Sequence, residues 1–322
     1  MKENELINQR ALILGVNGQD GSLLAEALIR KKFIVIGVGR QPKVRYELAG
    51  KLDRYIQLDI SAISKLNNLL VEVRADVIFH TAAIHGPAGF DYESNWQEVH
   101  LVNTLSLQAL LVYAVDFNPN VQIFYFSSSK CFGELANRSI TEETLRISDC
   151  LYSTSKNSST ALIQIYRKQY KIRASTIWLF NHESSRRQDG YFSSKIINAL
   201  ARSILDPSYK LSISSLDFWC DWGDAEEYME LIASSLSCLA GHDIVLATGK
   251  TVWANDMVHE LFSRYNLIAR DHLIVQQQIG LSNSMTWVAN TAKLEMLINK
   301  KPLLSGVEVF DRLYKGNLQG SH

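Results

Sequence analysis

The feature that most constrains this chain is a glycine-rich turn between a short apolar segment and an amphipathic one. Residues 11–14 are apolar, glycines stand at positions 15, 18 and 21, and residues 22–29 repeat apolar side chains at helical spacing. Gly15 and Gly21 allow a sharp turn and close packing of the helix on a sheet, whereas Gly18 allows a pyrophosphate to approach exposed N–H groups. Because a helix N-terminus carries partial positive charge, the turn predicts a dinucleotide-binding site.

Strands and helices alternate after this turn. The predicted strands are residues 33–38, 55–58, 76–80, 121–126 and 243–247, and the predicted helices are residues 62–73, 96–117, 192–205 and 253–265. This alternation predicts an α/β, Rossmann-like, doubly wound parallel sheet whose ligand crevice lies at the carboxyl ends of the strands. We expect residues 1–180 to form a dinucleotide-binding domain that also receives a strand near 243–248. Residues 181–322 would mainly form a smaller, interleaved substrate lobe.

Several strand ends carry residues suited to a dinucleotide. Arg40, with Arg45 nearby, stands where an NAD-specific enzyme has an acid for the ribose, and this favours NADP over NAD. An ordinary surface arginine is the alternative. Asp59 could accept a hydrogen bond from the adenine amino group or cap the next helix. The small residues Ala82 and Ala83 would let the cofactor pass close to the backbone.

The chemistry is predicted just after the fifth strand. Ser128 ends that strand, and Tyr152 and Lys156 stand four residues apart on the helix that follows, so they share one face. A lysine beside a phenol favours the phenolate and lowers the tyrosine pKa. Such a pair can move a proton to or from a sugar hydroxyl while a nicotinamide moves a hydride, with Ser128 holding the same oxygen.

The composition excludes several classes of partner. The chain has 33 basic and 33 acidic residues, and this balance argues against nucleic acid or an anionic membrane. Its four cysteines show no metal-ligand spacing, so we predict free thiols in a reducing compartment and no metal site. The first residues do not resemble a signal peptide, and no apolar run reads as long enough to span a bilayer. A cytoplasmic location is expected.

These motifs together resemble the extended short-chain dehydrogenases/reductases and, more narrowly, the GDP-mannose 4,6-dehydratase family. The segments that carry the narrower resemblance are residues 18–22, 179–184, 186–187, 216–217, 221–223 and 247–249. The resemblance implies an NADP-dependent enzyme acting on a nucleotide-linked sugar, with GDP favoured, that forms a homodimer or homotetramer. It also implies that Gln19, Asp20 and His182 bind the cofactor together with Tyr152 and Lys156, and that His85, Ser129, Asn181, Glu183 and Lys195 bind the substrate.

The chain departs from the family pattern at the sugar end. Two positions after the strand-end Ser or Thr, the family has a glutamate that removes the C5 proton, and this chain has Lys130. Lys130 could replace that base if it were deprotonated, or it could pair with a phosphate or an acid. Residues 84–87 and Trp219-Cys220 also differ from the family pattern. The arginine that the family has near the nucleotide diphosphate has no clear equivalent around residues 278–282. Three hypotheses stay open: a 4,6-dehydratase with a substitute base, a 4-keto sugar reductase or epimerase, and a non-catalytic NADP-binding partner protein.

Overall fold

A computed structural model of the chain describes residues 8–87, 89–133, 138–276 and 287–319. The strands are β1 (Arg10–Leu14), β2 (Ile34–Gly39), β3 (Arg54–Gln57), β4 (Val77–His80), β5 (Gln122–Ser128), β6 (Ser139–Ile140), β7 (Arg173–Leu179), β8 (Asn181–Glu183), β9 (Leu211–Ile213), β10 (Trp219–Cys220), β11 (Trp222–Asp224), β12 (Ile244–Leu246), β13 (Val252–Trp253), β14 (Leu273–Val275) and β15 (Val288–Ala289).

The α-helices are α1 (Gln19–Arg30), α2 (Ile63–Val73), α3 (Trp96–His100), α4 (Ser106–Asp116), α5 (Leu151–Tyr170), α6 (Phe192–Leu205), α7 (Ala225–Ala233), α8 (Leu236–Leu239), α9 (Ala254–Ser263), α10 (Ala269–His272), α11 (Ala292–Ile298) and α12 (Val307–Gln319). Two 3₁₀ helices cover Tyr46–Leu48 and Ser129–Phe132, and one turn of π-helix, Leu101–Leu105, joins α3 to α4.

Seven parallel strands form the central sheet in the order β12-β7-β5-β4-β1-β2-β3. Except in the edge strand β3, their side chains are mostly apolar and buried on both faces, as expected for a parallel sheet covered by helices. The predicted doubly wound fold is confirmed. The strand order reverses between β1 and β4, and a crevice opens at that switch point. The glycine turn after β1 and the segment after β4 therefore border the same opening.

Helices cover both faces of the sheet. One face packs against α1, α7 and α8, and the other against α2, α4 and α5. A separate core contains apolar residues from α6, α9 and α12 around Trp222 and Phe310. Residues beyond 181 thus contribute helices α7 and α8 to the sheet layer in addition to β12, while the second core builds the smaller lobe.

The prediction that no apolar segment is long enough to span a bilayer does not hold for residues Trp96–Asp116. The most apolar 18-residue window of this 21-residue helical segment has a mean hydropathy of 1.3, so by length and composition the segment could cross a bilayer, contrary to the sequence expectation. Within the described part of the chain, 61% of its most apolar window is buried in the protein. It packs between α2 and α5. Its apolar composition is explained by its position in the core.

Candidate active site

The glycine turn has the geometry that its spacing predicts. Gly15 has a φ of +97°, and a Cβ there would lie 2.7 Å from the Ala82 backbone nitrogen. A Cβ on Gly21 would overlap the Gly15 carbonyl oxygen. Gly18 has an ordinary extended φ of −81°, and a Cβ there would approach just one neighbour, the Gly15 carbonyl oxygen, at 3.3 Å. Two glycines are required by packing, and the third leaves the side facing the crevice open.

A cavity of about 230 Å³ lies in the crevice between β1 and β4. It is lined by Gly15, Asn17, Gly18, Val38, Gly39, Arg40, Gln41, Arg45, Leu58, Asp59, Ile60, Thr81, Ala82, Ala83, Ile84, Val102 and Gln188. The strand-end residues that the sequence indicated for a dinucleotide are all in this lining. The cavity lies at one end of α1, whose first N–H groups are available to an anion.

The two arginines of the lining differ in their partners. Arg40 Nη1 lies 2.5 Å from Glu98 Oε1, and both side chains are exposed. The backbone N–H of Arg45 donates to Asn17 Oδ1 at 2.8 Å, which fixes the path of the chain beside the cavity. Asp59 Oδ1 accepts a hydrogen bond from the Ser61 N–H at 2.9 Å, so this carboxylate closes the turn before α2 while also lining the cavity.

Asn17 organises this end of the site, and sequence reasoning missed it. The residue is buried, and its Nδ2 lies 3.0 Å from Gln41 Oε1 and 3.1 Å from both the Lys43 carbonyl oxygen and Tyr55 Oη. With the bond from Arg45, its amide ties the loop after β2 to the glycine turn. Its position inside the glycine motif was the one available signal.

Residues 182–188, here called the strap, cross from the end of β7 to the first turns of α1. Both ring nitrogens of His182 face oxygen atoms, with Nε2 2.9 Å from Asp20 Oδ1 and Nδ1 2.6 Å from the Phe180 carbonyl oxygen. Both nitrogens must therefore donate, which requires an imidazolium. Burial opposes the charge, but Asp20 outweighs it and raises the pKa of His182. Burial likewise opposes the Asp20 charge, and His182 and Arg187 nevertheless hold the Asp20 pKa at about 2.

Further polar contacts hold the strap in place. Ser184 Oγ donates to Gln19 Oε1 at 2.9 Å, and Arg186 Nη2 lies 2.5 Å from Glu26 Oε1. Gln188 at the far end lines the cavity. The predicted cofactor residues Gln19, Asp20 and His182 thus lie together and are joined by hydrogen bonds at the N-terminus of α1.

Tyr152, Lys156 and Ser128 meet at the carboxyl end of β5. Helix α5 begins at Leu151 because Cys150 and Ser153 form a reciprocal cap, and this places Tyr152 on its first turn. Lys156 is buried, its Nζ donates to the Phe126 carbonyl oxygen at 2.7 Å, and it lies 4.4 Å from the centre of the Tyr125 ring. Burial lowers the Lys156 pKa to about 8.

The predicted lowering of the Tyr152 pKa is wrong. Burial, followed by the neighbouring Cys131 and Tyr125, raises the pKa of Tyr152 well above its usual value, and a hydrogen bond with Ser128 offsets little of this. The Lys156 ammonium is 5.8 Å from the centre of the Tyr152 ring and points to the Phe126 carbonyl. Tyr152 is therefore a neutral phenol in this arrangement.

Asn103, in the π turn, connects the cavity to helix α5, and no sequence motif indicated it. Its Oδ1 accepts the Ile84 N–H at 2.9 Å, and its Nδ2 donates to Ser155 Oγ at 3.1 Å. The Asn103 carbonyl, released by the π turn, accepts the Tyr125 hydroxyl at 2.7 Å. A fully buried asparagine inside an apolar helix was the available signal.

Aromatic side chains surround Tyr152 on its open side. The His85 ring centre lies 4.6 Å from that of Tyr152, and the Tyr92 ring centre lies 5.8 Å from it. His85 Nδ1 is 3.1 Å from Tyr191 Oη. Tyr92 and Tyr191 were missed because they come from loops distant in sequence.

A model of the GDP-mannose 4,6 dehydratase family matches residues 12–293. The chain belongs to this family. The resemblance predicted from the motifs is confirmed. A GDP-mannose 4,6-dehydratase of Sordaria araneosa is 32% identical over 257 residues, which are 78% of this chain and 47% of that protein. The Drosophila melanogaster GDP-mannose 4,6 dehydratase is 29% identical over 277 residues, 81% of this chain and 69% of that protein. The chain thus spans about half the length of the first relative.

Solved structures share the fold. A dTDP-glucose 4,6-dehydratase from Bacillus anthracis, in complex with NAD, superposes with a TM-score of 0.78 at 16% identity and covers 97% of both chains. A UDP-glucuronic acid 4-epimerase from Bacillus cereus, in complex with UDP-glucuronic acid and NAD, gives a TM-score of 0.76 at 19% identity, covering 96% of this chain and 99% of that one.

The predicted substrate-binding residues do not form one contiguous group, in contrast to the predicted cofactor-binding residues. Glu183 is buried and accepts from Arg187 Nε at 2.8 Å and Ser193 Oγ at 2.7 Å, so its carboxylate is engaged within the protein. Asn181 is exposed and its Nδ2 donates to Cys220 Sγ at 3.0 Å. Lys195 is exposed on α6.

Lys130, predicted to stand where the family has a glutamate, is exposed. Ser129 and Lys130 follow Ser128 in the 3₁₀ helix, and the Lys130 N–H donates to Ser128 Oγ at 3.2 Å. Lys130 forms no ion pair with any residue that the structure describes. Its charge acts on both His85 and Cys220. The segment around residues 278–282, where the family's arginine was sought, lies outside the described residues.

The four cysteines are free thiols, as predicted. Cys131 and Cys220 are buried, and burial raises the pKa of both. A raised pKa leaves these thiols protonated and unreactive at neutral pH. Neither thiol is therefore an activated nucleophile.

Proposed function

We propose that this protein transfers a hydride at C4 of a nucleotide-linked sugar, using NADP, with a GDP-linked sugar as the favoured substrate. The observation that carries the proposal is the placement of Ser128, Tyr152 and Lys156 at the same sheet edge as the dinucleotide cavity. Family membership supports a nucleotide sugar, and the names of the similar proteins favour GDP.

The residues of the cavity fit a dinucleotide. The open side of Gly18 would admit a pyrophosphate to the N-terminus of α1, and Ala82 and Ala83 leave room along the backbone. Arg40 and Arg45 line the end at which the ribose 2′-position would lie, which favours NADP over NAD. Lys156 would donate to the nicotinamide ribose. When bound, the cofactor supplies hydride acceptance and return.

The protein's own groups would handle the proton at the C4 oxygen. When hydride leaves C4, the C4 hydroxyl would pass its proton to the Tyr152 phenolate. In the reverse direction the neutral phenol, the form present in this arrangement, would protonate the ketone oxygen, and Ser128 would hold that oxygen in both directions. Lys156, with a pKa of about 8, is mostly charged at neutral pH and stabilises negative charge that develops there.

A second candidate, reduction or epimerisation of a 4-keto sugar nucleotide, has an observation in its favour. Lys130 occupies the position where the family has the glutamate base, so the dehydration step lacks its usual group. A neutral Tyr152 is also the form that can protonate a ketone oxygen during reduction. A non-catalytic NADP-binding role is the third possibility, and the assembled triad argues against it.

The test is incubation of the purified protein with GDP-mannose and NADP⁺, followed by mass spectrometry of the sugar nucleotide. A product lighter by one water supports a 4,6-dehydratase. No dehydration, but NADPH-dependent reduction of a supplied GDP-4-keto-6-deoxymannose, supports the reductase. NADP binding without turnover of either compound would overturn the enzymatic proposal and leave the non-catalytic one.

We also propose that the protein forms a homodimer or homotetramer in the cytoplasm. Exposed apolar residues on two adjacent helical segments support self-association: Leu105 is 42% exposed, Val112 39% and Ile165 49%. Burial of such residues against a second copy would remove apolar surface from water. A monomeric mass in light scattering would contradict the oligomer.

A further inference from the structure

His85 lies beside Tyr152 and carries an imidazole that could accept a proton from a substrate. It follows Ile84, whose backbone N–H is fixed by Asn103 at 2.9 Å, so the loop that carries His85 is anchored at its base. The ring lies against Tyr152 with 4.6 Å between centres, and Nδ1 is 3.1 Å from Tyr191 Oη. Within the described part of the chain, Nε2 has no protein hydrogen-bond partner, and the residue is exposed to the cleft.

The surroundings of His85 keep its imidazole neutral. Desolvation by the walls of the cleft, then the positive charges of Arg187, Lys156 and Lys130, lower its pKa to about 4, with Asp20 acting weakly in the other direction. Tyr191 shares a hydrogen bond with the ring and is itself neutral, because burial raises its pKa. A neutral imidazole with one nitrogen free can accept a proton at physiological pH.

We propose that His85, held in place by Tyr191 and Tyr152, is the base that removes a carbon-bound proton next to the C4 ketone of the sugar. The inference rests on the proposed function, which places that ketone at Tyr152 and Ser128. The base would then lie in the loop after β4, and not at position 130, where this chain has a lysine.

The proposed step is balanced within the site. The C–H bond at C5 or C3 breaks, the proton moves to the imidazole, and the electron pair forms an enolate with C4. Tyr152 and Ser128 donate to the enolate oxygen, and the charges of Lys156 and Lys130 stabilise it. The imidazolium then returns its proton, either to the C6 hydroxyl as it leaves as water or to carbon.

Substrate binding would also adjust the base. A nucleotide diphosphate brings negative charge to a cleft in which Lys130 and Arg187 lower the His85 pKa. Partial neutralisation of these two cations raises that pKa toward neutrality, where a general base is most effective. His85 is thus a stronger base in the complex than in the free protein.

The experiment supplies GDP-4-keto-6-deoxymannose in D₂O, so that proton exchange is measured without any hydride step. Deuterium incorporation at C3 and C5 is followed by NMR. We expect the unmodified protein to accelerate exchange, and His85→Gln to lower the rate by about 10²- to 10⁴-fold, the usual contribution of a general base. The acidic limb of the exchange rate, which reports the pKa of His85 in the complex, should disappear in this variant.

Two further variants define the role. Tyr191→Phe keeps the ring but removes the hydroxyl, and should lower exchange less than His85→Gln does. His259→Gln, a change at an exposed histidine on α9, is the matched control and should leave the rate unchanged. Thermal unfolding and NADP binding by each variant show whether the fold and the cofactor site are intact.

The results that would overturn the proposal are specific. Absence of accelerated exchange in the unmodified protein, or an unchanged rate in folded His85→Gln, contradicts it. Loss of exchange in Lys130→Met, with full exchange in His85→Gln, would identify Lys130 as the base instead. Hydride transfer from C4 is measured separately with GDP-mannose deuterated at C4, as deuterium found by mass spectrometry in the cofactor or at another carbon of the product. Its absence from the unmodified protein counts against the proposed function, independently of the exchange result.

Discussion

The two ends of the crevice are constructed differently. At the predicted cofactor end, Asn17, Asp20 and His182 each have several hydrogen-bond partners within the protein. At the substrate end, Lys130, His85 and Asn181 are exposed, and Lys130 and His85 retain polar atoms without a described protein partner. The contrast teaches that the dinucleotide site is formed by the fold itself. The predicted sugar site consists of side chains that project from this fold, and these side chains can be exchanged without unfolding the protein.

The largest effect should come from Tyr152→Phe, which separates chemistry from cofactor binding. Removal of the phenol hydroxyl should lower hydride transfer by about 10²- to 10⁴-fold, because it removes the acid at the C4 oxygen. NADP affinity, measured by fluorescence titration, should change little because the cavity is formed by other residues. Tyr170→Phe, at the exposed end of the same helix, is the control. An equal loss of NADP binding in Tyr152→Phe would break the comparison.

The glycines offer a test within the cofactor end itself. Gly21→Ala should destabilise the protein by up to about 3 kcal/mol, because the added Cβ meets the Gly15 carbonyl. Gly18→Ala should change stability by less than about 1 kcal/mol, since its φ of −81° suits alanine. It should nevertheless weaken NADP binding, because the Cβ enters the path of the pyrophosphate. Urea unfolding of both variants measures the change in stability, and cofactor titration measures the affinity for NADP. The reverse order of stabilities would show that the turn packs differently.

Asp20→Asn tests the ion pair that links the strap to α1. The Asp20 pKa of about 2 against 3.8 corresponds to about 2 kcal/mol of stabilisation. Because the folded pKa is depressed, this stability is present above pH 3.8 and is lost as the pH falls toward 2. The raised His182 pKa contributes stability below pH 6.5 that is lost as the pH rises through the folded value. The stability difference between the unmodified protein and the variant should therefore be greatest between about pH 4 and 6.5, as measured by urea unfolding. A pH-independent difference would contradict the charged pair.

The smallest effect should come from Arg45→Ala, which sharpens the choice of cofactor. Loss of a charged donor to a 2′-phosphate should weaken NADP binding about tenfold and leave NAD binding unchanged. Arg45 is preferred to Arg40 for this test because Arg40 already pairs with Glu98. Lys51→Ala, at an exposed residue of the neighbouring loop, serves as control. Equal losses for both cofactors would argue against a 2′-phosphate at this end.

Six of the seven sheet strands could be predicted from the sequence, because each depends on a local apolar pattern, whereas β7 was not predicted. Helix Phe192–Leu205 begins and ends where its apolar periodicity does, and the six predicted strands agree with the structure to within about two residues. The glycine turn was equally local, since three residues determine both its backbone and its packing.

The parts that could not be predicted depend on contacts between distant residues. The Ser184–Gln19 and His85–Tyr191 contacts join residues 165 and 106 positions apart, and no spacing rule indicates them. The Tyr152 pKa was predicted in the wrong direction because spacing along a helix places Lys156 on the same face but does not show what its ammonium contacts. That ammonium is taken up by the Phe126 carbonyl, and burial then dominates the pKa.

The strap has a consequence for redesign of the enzyme. His182, Ser184 and Arg186 attach it at three points to the helix that begins the cofactor site. Any change that moves the strap to suit a new sugar therefore also disturbs the entrance of α1, so this segment is a poor place to introduce diversity. The loop at 85–92, position 130 and the pair 219–220 carry no such attachment to α1 among the described residues. A library directed at those positions, with the proposed base His85 kept, should vary sugar preference without disturbing cofactor binding.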